Sequence, residues 1–223
     1  MAESTALVTV ASGSYLGFAD RLMESAREHF HPTDLVDYVI LEGIEGWPVG
    51  TMCRHRVLLD HLPRATYVYL VDADCLFEQE VGPEILPPYL GITAVRHPGF
   101  VHQSRVNFSY ETRAQSAAWI GPHEGTTYYA GGFIGGERLA VKILSVQIDD
   151  ILEADAKRGI VPVYHDESAL NRVLVDSPPQ VTLSPAYLHP DRDEWYRSVW
   201  PEDYERKLVC LDKTAAERAL TGR

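Results

Sequence analysis

The sequence contains few cysteines and no apolar run of the length needed to cross a membrane. Its three cysteines, Cys53, Cys75 and Cys210, are far apart, odd in number and form no CxxC pair. This spacing argues against a disulfide framework and a zinc site, and it favours a reducing compartment. Residues 1–10 carry no basic leader and no long apolar segment. We therefore expect no signal peptide, no membrane anchor and a cytoplasmic location.

Positive charge is also scarce. The 223 residues include 20 lysines and arginines against 32 aspartates and glutamates, for a formal net charge of −12. Such a field repels nucleic-acid phosphates and anionic lipids, so we expect neither nucleic acid nor a membrane surface among the partners. A small phosphorylated ligand is compatible with this charge where a metal ion or a few lysines screen it.

The composition is that of an ordinary globular protein, 45% hydrophobic and 23% charged, and it suffices for one core in a single domain. Apolar runs alternate with helical patterns, which predicts an α/β fold. Predicted strands cover residues 7–10, 36–41, 67–71, 92–95 and 181–183, and predicted helices cover residues 15–30, 52–62, 137–158 and 166–175. The sequence indicates no repeat, no linker and no particular oligomeric state.

Two aspartates follow the apolar run YVYLV at residues 67–71, in the sequence Asp72-Ala73-Asp74. Ligands of open α/β sheets bind at the carboxyl ends of the strands, and two carboxylates there can share Mg²⁺ or Mn²⁺. The same residues could equally cap a turn or the next helix. Phosphohydrolases of the haloacid-dehalogenase type also use a DxD pair, but usually near the N-terminus, and here Cys75 and Leu76 follow it.

A second acidic cluster opens the predicted helix at residues 166–175. Asp166 and Glu167 favour the first turn of a helix through its macrodipole, which is a sufficient structural explanation. If Glu167 lies near the strand-end aspartates, its carboxylate could instead face the anomeric carbon of a sugar, as in retaining glycoside chemistry.

Residues 128–136 (YYAGGFIGG) carry four glycines. Glycines at the start of a helix can cradle phosphates, but this segment is neither GxGxxG nor a P-loop. Glycine also lets a backbone approach a ligand closely. A bulged strand with a turn explains the segment equally well.

Eight motifs in this order together resemble glycosyltransferase family 6, which includes the ABO histo-blood-group transferases, the α1,3-galactosyltransferases and shorter bacterial and phage members. The resemblance runs from about residue 8 to residue 213. The motifs are GWP at 46–48 with Arg54, DAD at 72–74, EILPP at 84–88, HPGF at 97–100, YExR at 110–113, YYAGGFIGG at 128–136, HDES at 165–168 with Asn171, and LSPxYL at 183–188.

The resemblance implies a nucleotide-diphospho-sugar transferase fold of the GT-A type, with a mixed central sheet flanked by helices. It implies one domain, residues 1–223, with a nucleotide-binding half at about 1–95, an acceptor-binding half at about 96–206 and a mobile tail at 207–223. The implied reaction is retaining α1,3 transfer from UDP-GalNAc, or alternatively UDP-Gal, to a galactoside or fucosylated galactoside. The implied cofactor is Mn²⁺, with Mg²⁺ as a possible substitute.

The resemblance also implies site residues by position. Glu167 is the implied catalytic carboxylate, and Asp72 and Asp74 are the implied metal ligands. The implied donor-binding residues are Val10, Ala11, Ser12, Tyr15, Arg54, Asp72, Ala73, Asp74, Ala130, Gly131, Gly132, Asp166 and Lys213. The implied acceptor-binding residues are His97, Ser109, Tyr164 and Glu167.

The sequence departs from the family pattern mainly on the acceptor side. Tyr164 stands where the animal enzymes have Trp, Ser109 stands in for Thr, and Pro190 falls where those enzymes have an acceptor-binding Asp. Many bacterial relatives have Asn in place of the metal aspartates and work without metal, whereas this chain keeps both, which favours metal dependence. Because Glu167 is intact as well, a non-catalytic sugar-binding role is disfavoured.

Overall fold

The computed structural model describes residues 3–191 and 205–212. The strands are β1 (Ser4–Ala11), β2 (Leu35–Glu42), β3 (Tyr67–Val71), β4 (Cys75–Phe77), β5 (Ile92–Arg96), β6 (Tyr129–Glu137), β7 (Val181–Leu183), β8 (His189–Pro190) and β9 (Leu208–Cys210). The α-helices are α1 (Leu16–His29), α2 (Val49–Asp60), α3 (Arg138–Lys157) and α4 (His165–Asp176).

Six strands form a mixed central sheet in the order β2-β1-β3-β6-β5-β7. β1 runs parallel to both β2 and β3, β6 is antiparallel to β3 and β5, and β7 is parallel to β5. A smaller sheet has the order β4-β9-β8. The predicted α/β fold with a mixed sheet flanked by helices is confirmed.

The central sheet buries apolar side chains on both faces because alternate residues of a strand point in opposite directions. Ala6 and Val8 of β1 join the core on the face covered by α2, α3 and α4. Leu7 joins the core on the other face, against α1 and the smaller sheet. β3 is likewise buried on both sides, as the run YVYLV predicts.

The nine predicted elements are all present, with ends shifted by a few residues at most. β6 is the bulged strand that was one of the two explanations of residues 128–136, although it was not counted among the predicted strands because glycine is a poor strand former. Pairing with β3 on one side and β5 on the other stabilises it. Gly135 is required there, since a Cβ at this position would lie 2.2 Å from Cδ1 of Tyr69.

β9 lies within the region 207–223 that was assigned to a mobile tail. Leu208 and Val209 are almost fully buried, and β9 pairs with β4 on one side and β8 on the other. These residues therefore pack against the body of the fold in this structure, and the mobility expected of residues 207–223 stays a prediction. Residues 213–223 lie outside the described part of the chain. Over the described ranges, no helix combines the length and hydrophobicity needed to cross a bilayer.

Candidate active site

A cavity of about 380 Å³ opens at the carboxyl ends of the parallel strands β1 and β3. This is the edge of an α/β sheet at which ligands usually bind. The predicted site residues that line it are Val10, Ala11, Ser12, Tyr15, Arg54, Asp72, Ala73, Asp74, Gly131, Gly132, Tyr164, Asp166 and Glu167. The structure therefore brings the strand-end aspartates and Glu167, which are distant in sequence, to one cavity.

A bulge in β6 forms one wall of this cavity. Ala94 of β5 pairs with Ile134, but the next residue, Val95, pairs with Ala130, so residues 131–133 leave the ladder with β5. This places the two glycines 131 and 132 at the cavity surface. The backbone N–H of Asp72 donates to the carbonyl of Gly132 at 2.9 Å, which fixes the bulge against the end of β3.

Ala130 does not line the cavity. Its side chain is buried in the core on the α1 side of the sheet. Ala130 was predicted to bind the donor, but the structure does not place it in the cavity wall. The bulge brings the backbone of the two following glycines to the cavity, and not the side chain of Ala130.

Arg54, on α2, links three parts of the cavity wall. It forms ion pairs with Asp72 at the end of β3 and Asp166 on α4, and its Nη2 donates to the carbonyl of Gly131 at 2.8 Å. Burial disfavours the charged guanidinium, but Asp166 and Asp72 outweigh this and raise the pKa of Arg54 above its usual range. The contact between Nε and Asp166 is an ion pair without hydrogen-bond geometry.

Glu167 is held by two hydrogen bonds. Oε1 accepts from the hydroxyl of Tyr128 at 2.9 Å, and Oε2 accepts from the backbone N–H of Gly131 at 2.8 Å. Burial raises the pKa of Glu167 to about 7, although both hydrogen bonds favour the ionised form. A carboxylate with this pKa titrates in the physiological range, which is common at catalytic sites.

The chain enters α4 through a strained residue. His165 has a φ of 51°, in the left-handed region that is costly for residues other than glycine. Asp166 and Glu167 follow directly in the first helical turn, and both line the cavity.

Asp72 and Asp74 provide carboxylate oxygens at the cavity edge. The side chain of Asp72 is 42% exposed, while Asp74 is largely buried. Within the described ranges, no group of three or more His, Cys, Asp and Glu side chains is placed to hold a metal. The donor set nevertheless fits Mg²⁺ or Mn²⁺, which are commonly bound by one or two carboxylates together with substrate phosphates.

Two of the predicted acceptor-binding residues lie outside the cavity wall, around Tyr128. The ring of His97 is 5.5 Å from that of Tyr128, and the carbonyl of Ser109 lies 3.5 Å from its hydroxyl. Burial lowers the pKa of His97 to about 4, and its Nδ1 accepts from the N–H of Gly99 at 3.0 Å. His97 and Ser109 thus adjoin Glu167 through Tyr128. Tyr164 lines the cavity itself and is 47% exposed.

Part of the cavity wall was not predicted. It comes from the connection between β2 and α2, where Trp47 is 79% exposed and its ring meets that of His165 edge-on at 4.8 Å. Gly46 and Trp47 belong to the recognised GWP motif, but no role was assigned to them. The other unpredicted lining residues are Gly43, Ile44, Gly50 and Thr51. The sequence did hold a signal for these residues: they follow β2, and β2 is the neighbour of β1, whose end was predicted to bind the nucleotide.

Lys213, the remaining predicted donor-binding residue, lies outside the described residues.

Comparison with known proteins identifies relatives of this chain. The sequence model of glycosyltransferase family 6 matches residues 47–201. Histo-blood group ABO system transferase 2 of Rattus norvegicus is 39% identical over 82% of this chain and 62% of its own length. Globoside α-1,3-N-acetylgalactosaminyltransferase 1 of Mus musculus is 29% identical over 86% of this chain and 63% of its own. The chain thus spans a little over three fifths of these animal proteins.

A bacterial relative matches over nearly its whole length. The O-antigen biosynthesis glycosyltransferase WbnI of Escherichia coli is 26% identical over 92% of this chain and 92% of its own length. These matches leave the DxD phosphohydrolase hypothesis without support.

Proposed function

Since the chain belongs to glycosyltransferase family 6, we propose that it is a retaining α1,3-glycosyltransferase. In this proposal it moves GalNAc from UDP-GalNAc to a galactose-terminated acceptor glycan and depends on Mn²⁺. The observation that carries the proposal is the shared cavity lined by Asp72, Asp74 and Glu167, in which Arg54 is paired with Asp72. In this proposal, the strand-end aspartates form the diphosphate-binding edge beside the half-buried carboxylate of Glu167.

In this proposal, the ends of β1 and β3 bind the nucleotide. Val10, Ala11, Ser12 and Tyr15 form the wall for uracil and ribose at one side of the cavity. A cation held by the strand-end aspartates would act as a Lewis acid toward the leaving diphosphate.

Arg54 orients the donor side of the site. By binding the carboxylates of Asp72 and Asp166 and the carbonyl of Gly131, its guanidinium fixes three elements in one arrangement. The planar fork of an arginine suits this task, because it donates in several fixed directions at once. Asp166 is the proposed contact to hydroxyl groups of the donor sugar.

Glu167 supplies negative charge where positive charge develops at the anomeric carbon. Retention needs a carboxylate on the face opposite the leaving group, either as a nucleophile or as the partner of an oxocarbenium-like ion. The bonds from Tyr128 and Gly131 hold both oxygens of Glu167 in place for this role.

The test is a screen of UDP-GalNAc, UDP-Gal, UDP-Glc and UDP-GlcNAc against a galactoside, a fucosylated galactoside and a glucoside, each with Mn²⁺ and with EDTA. We expect transfer from UDP-GalNAc to a galactose-terminated acceptor only with Mn²⁺, and NMR of the product should show an α1,3 linkage. Absence of transfer from every UDP sugar, or a β-linked product, would contradict the proposal. Preference for UDP-Gal would replace the donor and leave the reaction class intact.

A further inference from the structure

Glu111 is a buried carboxylate that lies outside the cavity and has no part in the proposed reaction. It is only 1% exposed. Its Oε1 accepts two hydrogen bonds from Arg113, one from the backbone N–H and one from Nε, each at 2.9 Å. Its Oε2 accepts from Nη2 of Arg113. Oε2 also accepts from the backbone N–H of Val163 at 3.0 Å. Burial opposes its charge, but the bonds from Arg113 outweigh this and hold the pKa of Glu111 below its usual range.

The same pair of side chains fixes a second point of the segment 161–163. Nη2 of Arg113 donates to the carbonyl of Val161 at 2.8 Å, while Glu111 accepts from the N–H of Val163. Val161 and Val163 are 49% and 51% exposed, so burial of their side chains contributes little to holding this segment. Pro162 between them is buried, and the hydrogen bonds from Arg113 and Glu111 fix the backbone on either side of it.

The segment 161–163 leads directly into Tyr164, which lines the cavity, and into α4 with Glu167. On the other side of Glu111, the ring of Tyr110 lies 5.3 Å from that of Tyr128, the residue that donates to Glu167. Glu111 thus connects the backbone before Tyr164 to the aromatic residues that surround the catalytic carboxylate.

We propose that Glu111 and Arg113 are positioning residues for the acceptor: they hold residues 161–163 so that Tyr164 presents its side chain to the acceptor sugar beside Glu167. The inference rests on the proposed function. In the proposed reaction, neither Glu111 nor Arg113 touches a substrate. Loss of the pair displaces Tyr164 and leaves the nucleotide end of the cavity, at β1 and β3, unchanged.

The experiment separates acceptor binding from donor chemistry. Glu111→Gln and Arg113→Met are compared with the wild type in two assays with Mn²⁺: transfer to the acceptor, and slow hydrolysis of UDP-GalNAc without acceptor. We expect both variants to keep the KM for the donor and the hydrolysis rate. The KM for the acceptor should rise, and kcat/KM for the acceptor should fall by ~10–10²-fold, as misplacement of a substrate-positioning group does.

Glu124→Gln is the matched control. Glu124 also accepts from a backbone N–H, that of Gly121 at 2.7 Å, and from an arginine, Arg172 at 2.9 Å, but it makes no contact with residues 161–163. It should leave both assays unchanged. An unchanged acceptor KM in both test variants, or a parallel fall of hydrolysis and transfer, would overturn the inference. A wild type that neither transfers nor hydrolyses UDP sugars would overturn the proposed function, and this inference with it.

A separate observation concerns two cysteines that are 135 residues apart in sequence. Cys75 of β4 and Cys210 of β9 are direct cross-strand partners, and their Sγ atoms are 3.4 Å apart. The N–H of Leu211 donates to the carbonyl of Asp74 at 2.8 Å, which makes Cys75 and Cys210 a non-hydrogen-bonded pair of the antiparallel ladder. Cα atoms in such pairs lie about 4.5 Å apart, within the range that a disulfide spans.

We infer that Cys75 and Cys210 form a reversible disulfide when the glutathione pool is oxidised. Cys210 is partly exposed and Cys75 is fully buried. In the first step, the sulfur of Cys210 attacks glutathione disulfide, one glutathione leaves and a mixed disulfide forms. In the second step, the sulfur of Cys75 attacks Cys210 and releases the second glutathione. The protein loses two hydrogens, and glutathione disulfide is reduced to two thiols.

This bond would join β9 to β4 immediately after Asp74, and would thereby tie β9 to the cavity edge. The test is incubation of the folded protein with glutathione disulfide, followed by thiol titration under denaturing conditions and intact mass measurement. We expect free thiols to fall from three to one, with no attached glutathione, and recovery of all three with dithiothreitol. The oxidised form should also have a higher Tm, because a long loop is closed.

Cys53→Ser is the matched control, since Cys53 is remote in sequence from both and should leave the oxidation unaffected. Cys75→Ser should convert the product into a stable mixed disulfide on Cys210, with the mass of one attached glutathione. Three remaining free thiols in the wild type, or a persistent mixed disulfide in it, would overturn the inference.

Discussion

The hydroxyl of Tyr128 donates a hydrogen bond of 2.9 Å to Oε1 of Glu167. This bond favours the ionised carboxylate, while burial opposes it and raises the pKa of Glu167 to about 7. Because these two effects leave the pKa of Glu167 near neutral pH, a small change in its surroundings decides whether the carboxyl group is charged.

Removal of this hydroxyl should shift the pH profile of the reaction. A protonated Glu167 cannot stabilise positive charge, so we expect kcat/KM for the donor to fall as the pH falls through about 7, the pKa of Glu167. Tyr128→Phe removes a bond to the charged form, which raises that pKa and moves the acid limb to higher pH. Tyr129→Phe is the control, because its hydroxyl meets Thr182 at 3.5 Å. Superimposable profiles for wild type and Tyr128→Phe would contradict the assignment.

Glu167→Gln should abolish most of the transfer activity. The substitution keeps the size of the side chain but removes the charge that faces the developing cation in the proposed reaction, and such a loss typically costs ~10²–10³ in kcat. Binding of UDP at the ends of β1 and β3 should persist, as measured by calorimetry with Mn²⁺ present. A variant with near-normal kcat would show that another group serves this role.

Metal removal should stop the reaction reversibly. Both strand-end aspartates line the cavity, so Asp74→Asn should lose most activity, and EDTA should abolish transfer until Mn²⁺ is added back. Asp20→Asn, at an exposed position on α1, is the control and should be neutral. Full transfer in EDTA would place this chain with the metal-independent members of its family.

Arg54 should matter for stability as well as for activity. Arg54→Met leaves Asp72 and Asp166 without their shared counter-charge, and breaking a buried ion pair in this way costs about 3–5 kcal/mol. Arg54→Lys should recover only part, because one ammonium cannot reproduce the fork. Urea unfolding checks both, with Arg56→Met on the same helix as the control: Arg56 is a surface residue, and its loss should cost little. Equal unfolding free energies for Arg54→Met and Arg56→Met would refute this role.

The sequence identified best what is local. The run YVYLV followed by Asp72-Ala73-Asp74 predicted a buried strand with carboxylates at its end, and the structure has both. The helix pattern ending at Gly159 predicted α3 closely, because a glycine with φ of 68° caps it. Such signals lie within one element and need no knowledge of the fold.

Contacts between distant elements could not be predicted in this way. Cys75 and Cys210 appeared unrelated in the sequence, yet pairing of β4 with β9 makes them neighbours. Ala130 was assigned to the donor site together with the glycines after it, but the bulge in β6 turns only those glycines to the cavity. Both outcomes depend on strand register, which is set by partners far along the chain.

The proposed preference for UDP-GalNAc can be tested at Gly132, where there is little space for a side chain. A Cβ at this position would lie 3.0 Å from Cδ2 of Leu188 and 3.1 Å from Oδ2 of Asp72. A methyl group there must therefore displace Leu188 or advance into the cavity. Gly131 is more constrained, since its Cβ would lie 2.7 Å from Nη2 of Arg54.

Gly132→Ala should therefore shift donor choice from UDP-GalNAc towards UDP-Gal. An N-acetyl group needs more room than a hydroxyl. A change in pocket volume by one methylene group usually changes the ratio of kcat/KM between two competing substrates by ~10–200-fold. We expect the wild type to favour UDP-GalNAc within this range and Gly132→Ala to reduce the ratio. Because the new methyl also approaches Asp72, activity with both donors should decline in absolute terms. Gly131→Ala is the control: it disturbs Arg54 and should lower both donors equally. A wild type that prefers UDP-Gal, or a ratio that Gly132→Ala leaves unchanged, would show that this wall does not set donor choice.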